Sequence, residues 1–190
     1  MAIKPILFNT EMVRAILDGR KDATRRIVKG FIPDDAVWGY TAFTPKGYIS
    51  CRGTFADGYG EKFFKLPCEP GDILYVRETW KKAPNGYYYY EDWQRDDIAD
   101  VTKWKPSIHM PKEAARIWLK VTNVRVERLH DMTDDDAEAE GCFDYTSTAL
   151  GFPDVWDSTI KKSDLDRYGW DANPWVWVIE FERCEKPEGV

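Results

Sequence analysis

Residues 175–181 read Trp-Val-Trp-Val-Ile-Glu-Phe, and this stretch decides the fold of the chain. Aromatic and β-branched residues of this kind favour an extended strand. Successive side chains of a strand alternate between its two faces, so Trp175 and Trp177 share one face, and we expect that face to be buried. The stretch therefore predicts a strong strand that closes a sheet or barrel.

Two earlier stretches also have the pattern of strands. Residues 73–76 read ILYV, an apolar run after a turn at 67–72, which is typical of a buried strand. Residues 117–129 read IWLKVTNVRVERL, in which apolar and polar residues alternate with one slip. A slip of this kind predicts a β-bulge. Aromatic and apolar residues between 40 and 55 indicate a hairpin.

Helix signals lie between these strands. Residues 10–18 show helical spacing of apolar residues, and Gly19 follows as a natural stop. Thr133 and Asp136 resemble a capping box that opens a short acidic helix, and one more helix is expected near 154–166. Strands scattered along the chain, with helices at the turns, predict an α+β fold that is mainly β.

The composition fits a single domain over residues 1–190. A hydrophobic content of 43% and an aromatic content of 15% can supply a packed core, which argues against disorder. The net charge of −6 argues against long duplex nucleic acid as a partner, because phosphate binding depends on basic residues. A small-molecule nucleoside or a short RNA remains compatible with this charge, and the oligomeric state stays unknown.

The sequence indicates a cytoplasmic protein without a cofactor. Its four cysteines are widely spaced and form no CxxC pair, so we expect reduced thiols. No apolar run approaches the roughly 18 residues of a membrane span, and residues 1–9 lack the apolar core of a signal peptide, so no membrane partner is expected. The two histidines, His109 and His130, do not have the spacing of a zinc site, and no metal is expected.

Three segments, taken in order, carry a family resemblance. Residues 16–26 read ILDGRKDATRR, residues 70–76 read PGDILYV, and residues 121–140 are followed by the closing strand at 178–181. The first segment is close to a G-x-K-x-x-T-x-R opening. Together the segments resemble the ASCH family of the PUA-like superfamily.

The resemblance implies a PUA-like β-barrel with flanking helices and long insertions, at about 30–65, 80–105 and 142–172. The longer form, with PSIHMP at 106–111 and NPWVW at 173–177, resembles ASCH-like proteins carried by bacteriophages and prophages.

Among the family's relatives is a bacterial amidohydrolase that removes the acetyl group from N4-acetylcytidine with a Lys, a Thr three residues later and a downstream Glu. The resemblance places these catalytic roles on Lys21 as base, Thr24 as nucleophile and Glu140 as acid. Glu140 follows from matching residues 136–140 to the family's A-E-x-E segment. Asp22 stands where the family often has Thr, and a carboxylate there is expected to raise the pKa of the lysine, which is the wrong direction for a base.

The residues themselves set conditions on this chemistry. A Thr hydroxyl needs a base, and Lys21 can serve if burial or nearby cations lower its pKa. The candidate cations, which are also candidates for substrate binding, are Arg20, Arg25 and Arg26. Residues 21 and 24 would point to opposite faces of a strand, so the site hypothesis predicts a turn or short helix after Gly19. The alternative is a solvated basic loop at 20–29, with Glu140 as one more charge on an acidic helix.

Glu78 is a second candidate carboxylate for substrate binding, because it follows a predicted strand where the chain enters a loop. The alternative for this residue is a salt bridge with Arg77 or a neighbouring lysine. Three functions remain open at this point. The chain is an amidohydrolase for an acylated nucleoside, a non-catalytic RNA or modified-nucleotide binding module of phage or prophage origin, or a phage accessory protein that binds other proteins.

Overall fold

The computed structural model describes residues 1–93, 103–142 and 148–189. For residues 148–150 it describes the helical backbone only. Parts of two predicted insertions, at 94–102 and 143–147, lie outside the described residues. Ten strands are present in the described part of the chain: β1 Ile3–Leu7, β2 Ala23–Ile27, β3 Val37–Gly39, β4 Tyr48–Phe55, β5 Gly58–Lys65, β6 Ile73–Arg77, β7 Trp80–Ala83, β8 Gly86–Tyr89, β9 Trp118–Arg128 and β10 Trp175–Cys184.

Four α-helices accompany these strands within the described ranges: α1 Thr10–Leu17, α2 Asp134–Ala139, α3 Thr148–Ser158 and α4 Leu165–Tyr168. Short 3₁₀ helices span Tyr90–Trp93, Ser107–His109, Lys112–Ala114, Leu129–Asp131, Lys162–Asp164 and Trp170–Ala172. Every helix in this part of the chain is too short or too polar to span a membrane. The fold is α+β and mainly β, as the sequence predicted.

The largest sheet has five strands in the order β1-β6-β9-β10-β2, and β2 lies at one edge. β1 runs parallel to β6, and the other neighbours in this sheet are antiparallel. A second sheet has the order β3-β4-β5, which includes the predicted hairpin, and β7 pairs with β8. The predicted strand at 175–181 is confirmed as β10, which pairs with β9 on one side and β2 on the other.

The predicted bulge lies in β9. Asn123 pairs with Glu180 of β10, but the next pair joins Val121 to Phe181, so Thr122 is the extra residue. A single extra residue changes which side chains face the core, and this accounts for the slip in the apolar alternation of the sequence.

Both faces of the five-stranded sheet are covered. Trp177 and Ile179 of β10 face a core that contains α1 and residues of the three-stranded sheet. Val176 and Val178 face the opposite side, where α2 and α3 pack. The expectation that the tryptophan face of this strand is buried is confirmed for Trp177, and Trp175 is partly buried against the same core.

The helices begin and end where local signals allow. Asn9 accepts a hydrogen bond from the Met12 amide at 2.8 Å and caps α1. Gly19, at φ 75°, follows the helix. The helix predicted at 154–166 is wrong in its bounds, since α3 spans Thr148–Ser158. Proline disfavours a helix interior, but burial of Phe152 and Trp156 extends α3 across Pro153.

Trp38 of β3 connects the two larger sheets. Its ring centroid lies 5.1 Å from that of Phe64 in β5, 5.7 Å from Trp175 and 6.2 Å from Trp177 in β10.

We expect Trp38→Ala to lower the free energy of unfolding by about 3 kcal/mol, because it removes this aromatic contact between sheets. Urea unfolding would measure the loss. The control Tyr40→Ala removes a side chain that is 66% exposed, and should cost less than about 0.5 kcal/mol; equal losses in the two variants would contradict the role of Trp38.

Candidate functional site

A tight turn between α1 and β2 positions the first site residues. The Arg20 and Lys21 amides both donate to the Ala15 carbonyl, at 2.8 and 3.1 Å. The Asp22 amide donates to Ala139 of α2 at 3.0 Å, so the turn is attached to both helices. Lys21 therefore precedes the strand, and Thr24 is the second residue of β2. The turn that the site hypothesis required is present.

Lys21 and Glu140 form a buried ion pair. The Lys21 Nζ lies 2.6 Å from Glu140 Oε2, and the two side chains are 0% and 5% exposed. The same ammonium donates to the backbone carbonyls of Ala23 at 2.7 Å and Glu140 at 2.9 Å. These three acceptors match the three donors of a protonated lysine. Such a pair is expensive to break, because either partner alone would be a buried charge without compensation.

Burial has the largest effect on the pKa of Lys21 and lowers it below its ordinary value. The Glu140 carboxylate acts in the opposite direction, and the Arg26 guanidinium adds to the lowering. Asp22, which was expected to raise this pKa, has its side chain exposed to water, and the net shift of the Lys21 pKa is downward. Burial and the cation Arg26 are the two alternative influences that the sequence analysis named as able to lower the pKa of Lys21, and both act here.

Arg25 is fully buried and carries a network of charges. Its guanidinium donates to Glu127 of β9, with the shorter bond at 2.7 Å, and lies 3.1 Å from Asp136 of α2. Its Nη1 lies 3.5 Å from Glu140 Oε1. Arg125 of β9 contacts the same two carboxylates and also Glu180 of β10, so the network joins the strands β2, β9 and β10 to α2.

Thr24 lines a small cavity of about 20 Å³ at the edge strand β2. Its polar walls come from Thr24, Arg25, Arg26 and Glu140, and it is covered by Phe152, Val155 and Trp156 of α3 and by Thr159, which follows that helix. A larger cleft of about 220 Å³ lies beside it and is lined by residues that include Arg14, Arg20, Gly141 and Cys142. Three residues line both spaces: Met12, Glu140 and Val155.

The structure brings together most of the predicted site. Lys21 contacts Glu140, and Glu140 lines the same cavity as Thr24, Arg25 and Arg26. Arg20 lies at the larger cleft and is paired with Asp18 at 2.9 Å. The alternative of a solvated basic loop is wrong for three predicted residues, because Lys21, Thr24 and Arg25 are buried.

Glu78 lies elsewhere. Its carboxylate receives two hydrogen bonds from Arg116, both at 2.9 Å, and Arg116 also contacts Asp92. Glu78 lines neither the cavity nor the cleft described above. A salt bridge was the expected alternative for this residue, although its partner is Arg116 instead of Arg77 or a lysine.

Several residues at the site had no role in the sequence hypothesis. Glu127 lies two residues beyond Arg125 on the same face of β9, and this alternation of charge was the only indication of it in the sequence. Val155 and Trp156 gave none, because nothing local tells which strand α3 covers. Within the described ranges, no group of three or more His, Cys, Asp or Glu side chains is arranged to hold a metal ion.

Comparison with protein-family models gives no match, and no curated protein matches the sequence. Among solved structures, the chain is similar to an ASCH domain from Lactobacillus crispatus JV V101, with 13% identity, a TM-score of 0.48, and coverage of 96% of this chain and 79% of that chain. It is also similar to the hypothetical protein PH0355, with 14% identity, a TM-score of 0.45, and coverage of 97% of this chain and 100% of that chain. The first of these structures belongs to the family that the sequence motifs resemble.

Gly141 permits the contact between Lys21 and Glu140. Its φ is 90°, and a Cβ at this position would lie 2.8 Å from Ala15 Cβ and 3.4 Å from Lys21 Cβ. We expect Gly141→Ala to destabilise the protein by about 2 kcal/mol or more, measured by urea unfolding. Gly71→Ala is the matched control, since Gly71 has φ 87° but open space around it. Equal losses in both variants would mean that backbone conformation alone constrains position 141.

Asp136 links the charge network to pH. Burial alone would raise the pKa of its carboxyl, but hydrogen bonds from Thr133 and Arg25 outweigh burial and hold the pKa at about 2. Because this pKa is lower in the folded protein than its ordinary value of 3.8, the charged carboxylate stabilises the fold by about 2 kcal/mol at pH values above 3.8. This stabilisation is lost as the pH falls toward 2. We expect Asp136→Asn to be less stable than wild type at pH 7, with the difference narrowing between pH 4 and pH 2.

Urea unfolding across this pH range measures the difference, and Asp135→Asn, at an exposed neighbouring carboxylate, is the control. A difference in the free energy of unfolding between wild type and Asp136→Asn that does not change with pH would contradict the lowered pKa of Asp136.

Proposed function

We propose that this protein is an amidohydrolase that removes the acyl group from an acylated nucleoside such as N4-acetylcytidine. The observation that carries the proposal is the buried contact of Lys21 with Glu140 at 2.6 Å, beside the cavity that Glu140 shares with Thr24. A hydroxyl nucleophile, a carboxylate for proton transfer and a cation that positions it are groups with which an enzyme can hydrolyse an amide. The substrate class comes from the resemblance of residues 16–26 to the ASCH opening motif.

The contacts favour a particular division of roles. Lys21 donates from all three positions of its ammonium, so in this arrangement it has no lone pair with which to accept a proton. Glu140 Oε1 is not used by Lys21. We therefore assign proton transfer from Thr24 and to the leaving amine to Glu140, and we assign to Lys21 the positioning of that carboxylate. This revises the sequence hypothesis, in which Lys21 was the base.

The larger cleft beside Glu140 is the proposed position of the nucleoside. The cavity of about 20 Å³ is too small for a base, whereas the cleft of about 220 Å³ reaches the same carboxylate. Arg20 lies at this cleft as a candidate contact for the substrate. Its neighbours Glu11 and Glu140 reduce the positive charge there, which suits a neutral nucleoside better than a long phosphate backbone.

A second candidate function is binding of a modified nucleotide or short RNA without turnover. The observation in its favour is the cover that α3 forms over Thr24, together with the complete use of the Lys21 donors. Both features would suit a rigid binding site. This function predicts a saturable complex with N4-acetylcytidine or RNA and no release of acetate.

The test is incubation of the pure protein with N4-acetylcytidine, followed by ultraviolet absorbance of the nucleoside. We expect hydrolysis by wild type and losses of kcat of about 10³-fold in Thr24→Val and Glu140→Gln, because these variants remove the nucleophile and the proton-transfer group. Thr54→Ala, at an exposed threonine of β4, should keep full activity. Circular dichroism would verify that each variant is folded.

Two results would contradict the enzymatic proposal. Full activity in Thr24→Val would remove this residue from the mechanism. Absence of hydrolysis by wild type, with tight binding of the nucleoside in a fluorescence titration, would support the second function. Repeating that titration with short RNA at high salt measures how much of the affinity depends on phosphate contacts.

A further inference from the structure

Two buried polar atoms face each other at the small cavity. Arg25 Nη1 and Glu140 Oε1 make no hydrogen bond to any residue that the structure describes, and they lie 3.5 Å apart, which is too far for a good hydrogen bond. Their side chains are 0% and 5% exposed. A buried donor and a buried acceptor that lack hydrogen bonds are costly even within an ion pair, so this arrangement indicates a bound group that forms a hydrogen bond with each atom.

The size of the cavity identifies that group. A buried water needs roughly 10–15 Å³ of accessible space and two to four polar partners. The cavity offers about 20 Å³, with Thr24, Arg25 and Glu140 among its polar walls. A water can accept a hydrogen bond from Arg25 Nη1 and donate one to Glu140 Oε1, which matches the two unpaired atoms. A nucleoside or phosphate does not fit this space.

We propose that this cavity binds the water molecule that hydrolyses an acyl group carried on Thr24, and that Arg25 is the residue that positions it. The inference rests on the proposed function, since it places the second substrate of that reaction. The water lies between Glu140 and Arg25, next to the nucleophile and on the side of Glu140 away from the larger cleft. Thus Glu140 lies between the proposed positions of the nucleoside and the water.

The hydrolytic step is balanced within this set of residues. The water oxygen attacks the carbonyl carbon of the acyl-Thr24 ester while Glu140 Oε1 takes one proton from the water. The new carbon–oxygen bond makes a tetrahedral intermediate, which then breaks its bond to Thr24 Oγ1. Glu140 returns the proton to that oxygen. The products are a free carboxylic acid and the original threonine, and no further reactant is needed.

The charge network determines which nitrogen of Arg25 faces the water. Its Nε and Nη2 donate to Glu127 at 3.1 and 2.7 Å, and Nη2 also lies 3.1 Å from Asp136. These contacts fix the planar guanidinium, so that Nη1 is the remaining donor. On the other side, Lys21 holds Glu140 through Oε2 and leaves Oε1 toward the cavity. The two positions thus follow from contacts that do not involve the water.

A crystal structure that resolves buried waters is the first test, and it does not depend on turnover. We expect one water within hydrogen-bond distance of both Arg25 Nη1 and Glu140 Oε1. An empty cavity, or a direct hydrogen bond between those two atoms, would overturn the inference even for an active enzyme. A water in place together with no hydrolysis of N4-acetylcytidine would confirm the water site, and it would overturn the proposed function and with it the hydrolytic role of this water.

The second test measures the two chemical steps in the wild-type chain and in Val155→Met. Val155 lines both the cavity and the cleft, and a longer apolar side chain there should displace the water while every polar residue stays in place. At saturating N4-acetylcytidine, which offsets any weaker binding in the cleft, we expect cytidine release in the first turnover to persist, and deacylation to slow about 10²-fold. Mass spectrometry of the quenched protein should then detect acetyl-Thr24. Val37→Met, the same change at an exposed position of β3, is the control.

Arg25→Met should give the same accumulation of acyl-enzyme, with folding verified by thermal melting because its removal leaves Glu127 and Asp136 without a buried partner. If Val155→Met and a folded Arg25→Met both turn over without acyl-enzyme, water reaches Thr24 from elsewhere and the inference is wrong. If acyl-enzyme accumulates in Val155→Met alone, the water site stands and Arg25 does not position it.

Discussion

A buried ion pair between Lys21 and Glu140 joins two segments that are 119 residues apart in the chain. Removing either charge from water is costly, and the pair persists because the carbonyls of Ala23 and Glu140 take the other two protons of the ammonium. Three parts of the fold serve this contact: the turn after α1, the first residue of β2 and the end of α2. The site therefore exists only when these elements are packed on the same edge of the sheet.

The buried cations at this site are each paired with carboxylates. Lys21 and Arg25 are inaccessible to water, and each is matched to carboxylates from other elements of the fold, as Arg25 is to Glu127 and Asp136. Although the net charge of the protein is −6, the basic residues Lys21 and Arg25 are buried at this edge of the sheet. This explains why an acidic chain contains a basic segment at residues 20–29. The segment pairs with carboxylates inside the protein more than it forms a surface that could bind phosphates.

α3 gives the site its present shape. It comes from the region 142–172 that the family resemblance identified as an insertion, and it covers Thr24 with Phe152 and Trp156 while Val155 separates the cavity from the cleft. An apolar cover excludes bulk water and strengthens the electrostatic interactions beneath it. In the proposed reaction, the same cover would limit hydrolysis to one ordered water and leave access for the nucleoside on the opposite side of Glu140.

The sequence by itself determined the features that depend on near neighbours. Side-chain alternation predicted β10 and the bulge in β9, and capping residues predicted α1 and α2, because these signals act over a few residues. The resemblance pointed to Lys21, Thr24 and Glu140 together. Only the tertiary structure decided that Lys21 is occupied by three acceptors, that Arg25 faces Glu140, and that α3 covers them. These facts arise from contacts between distant segments, and local propensity carries no information about which distant partner a side chain meets.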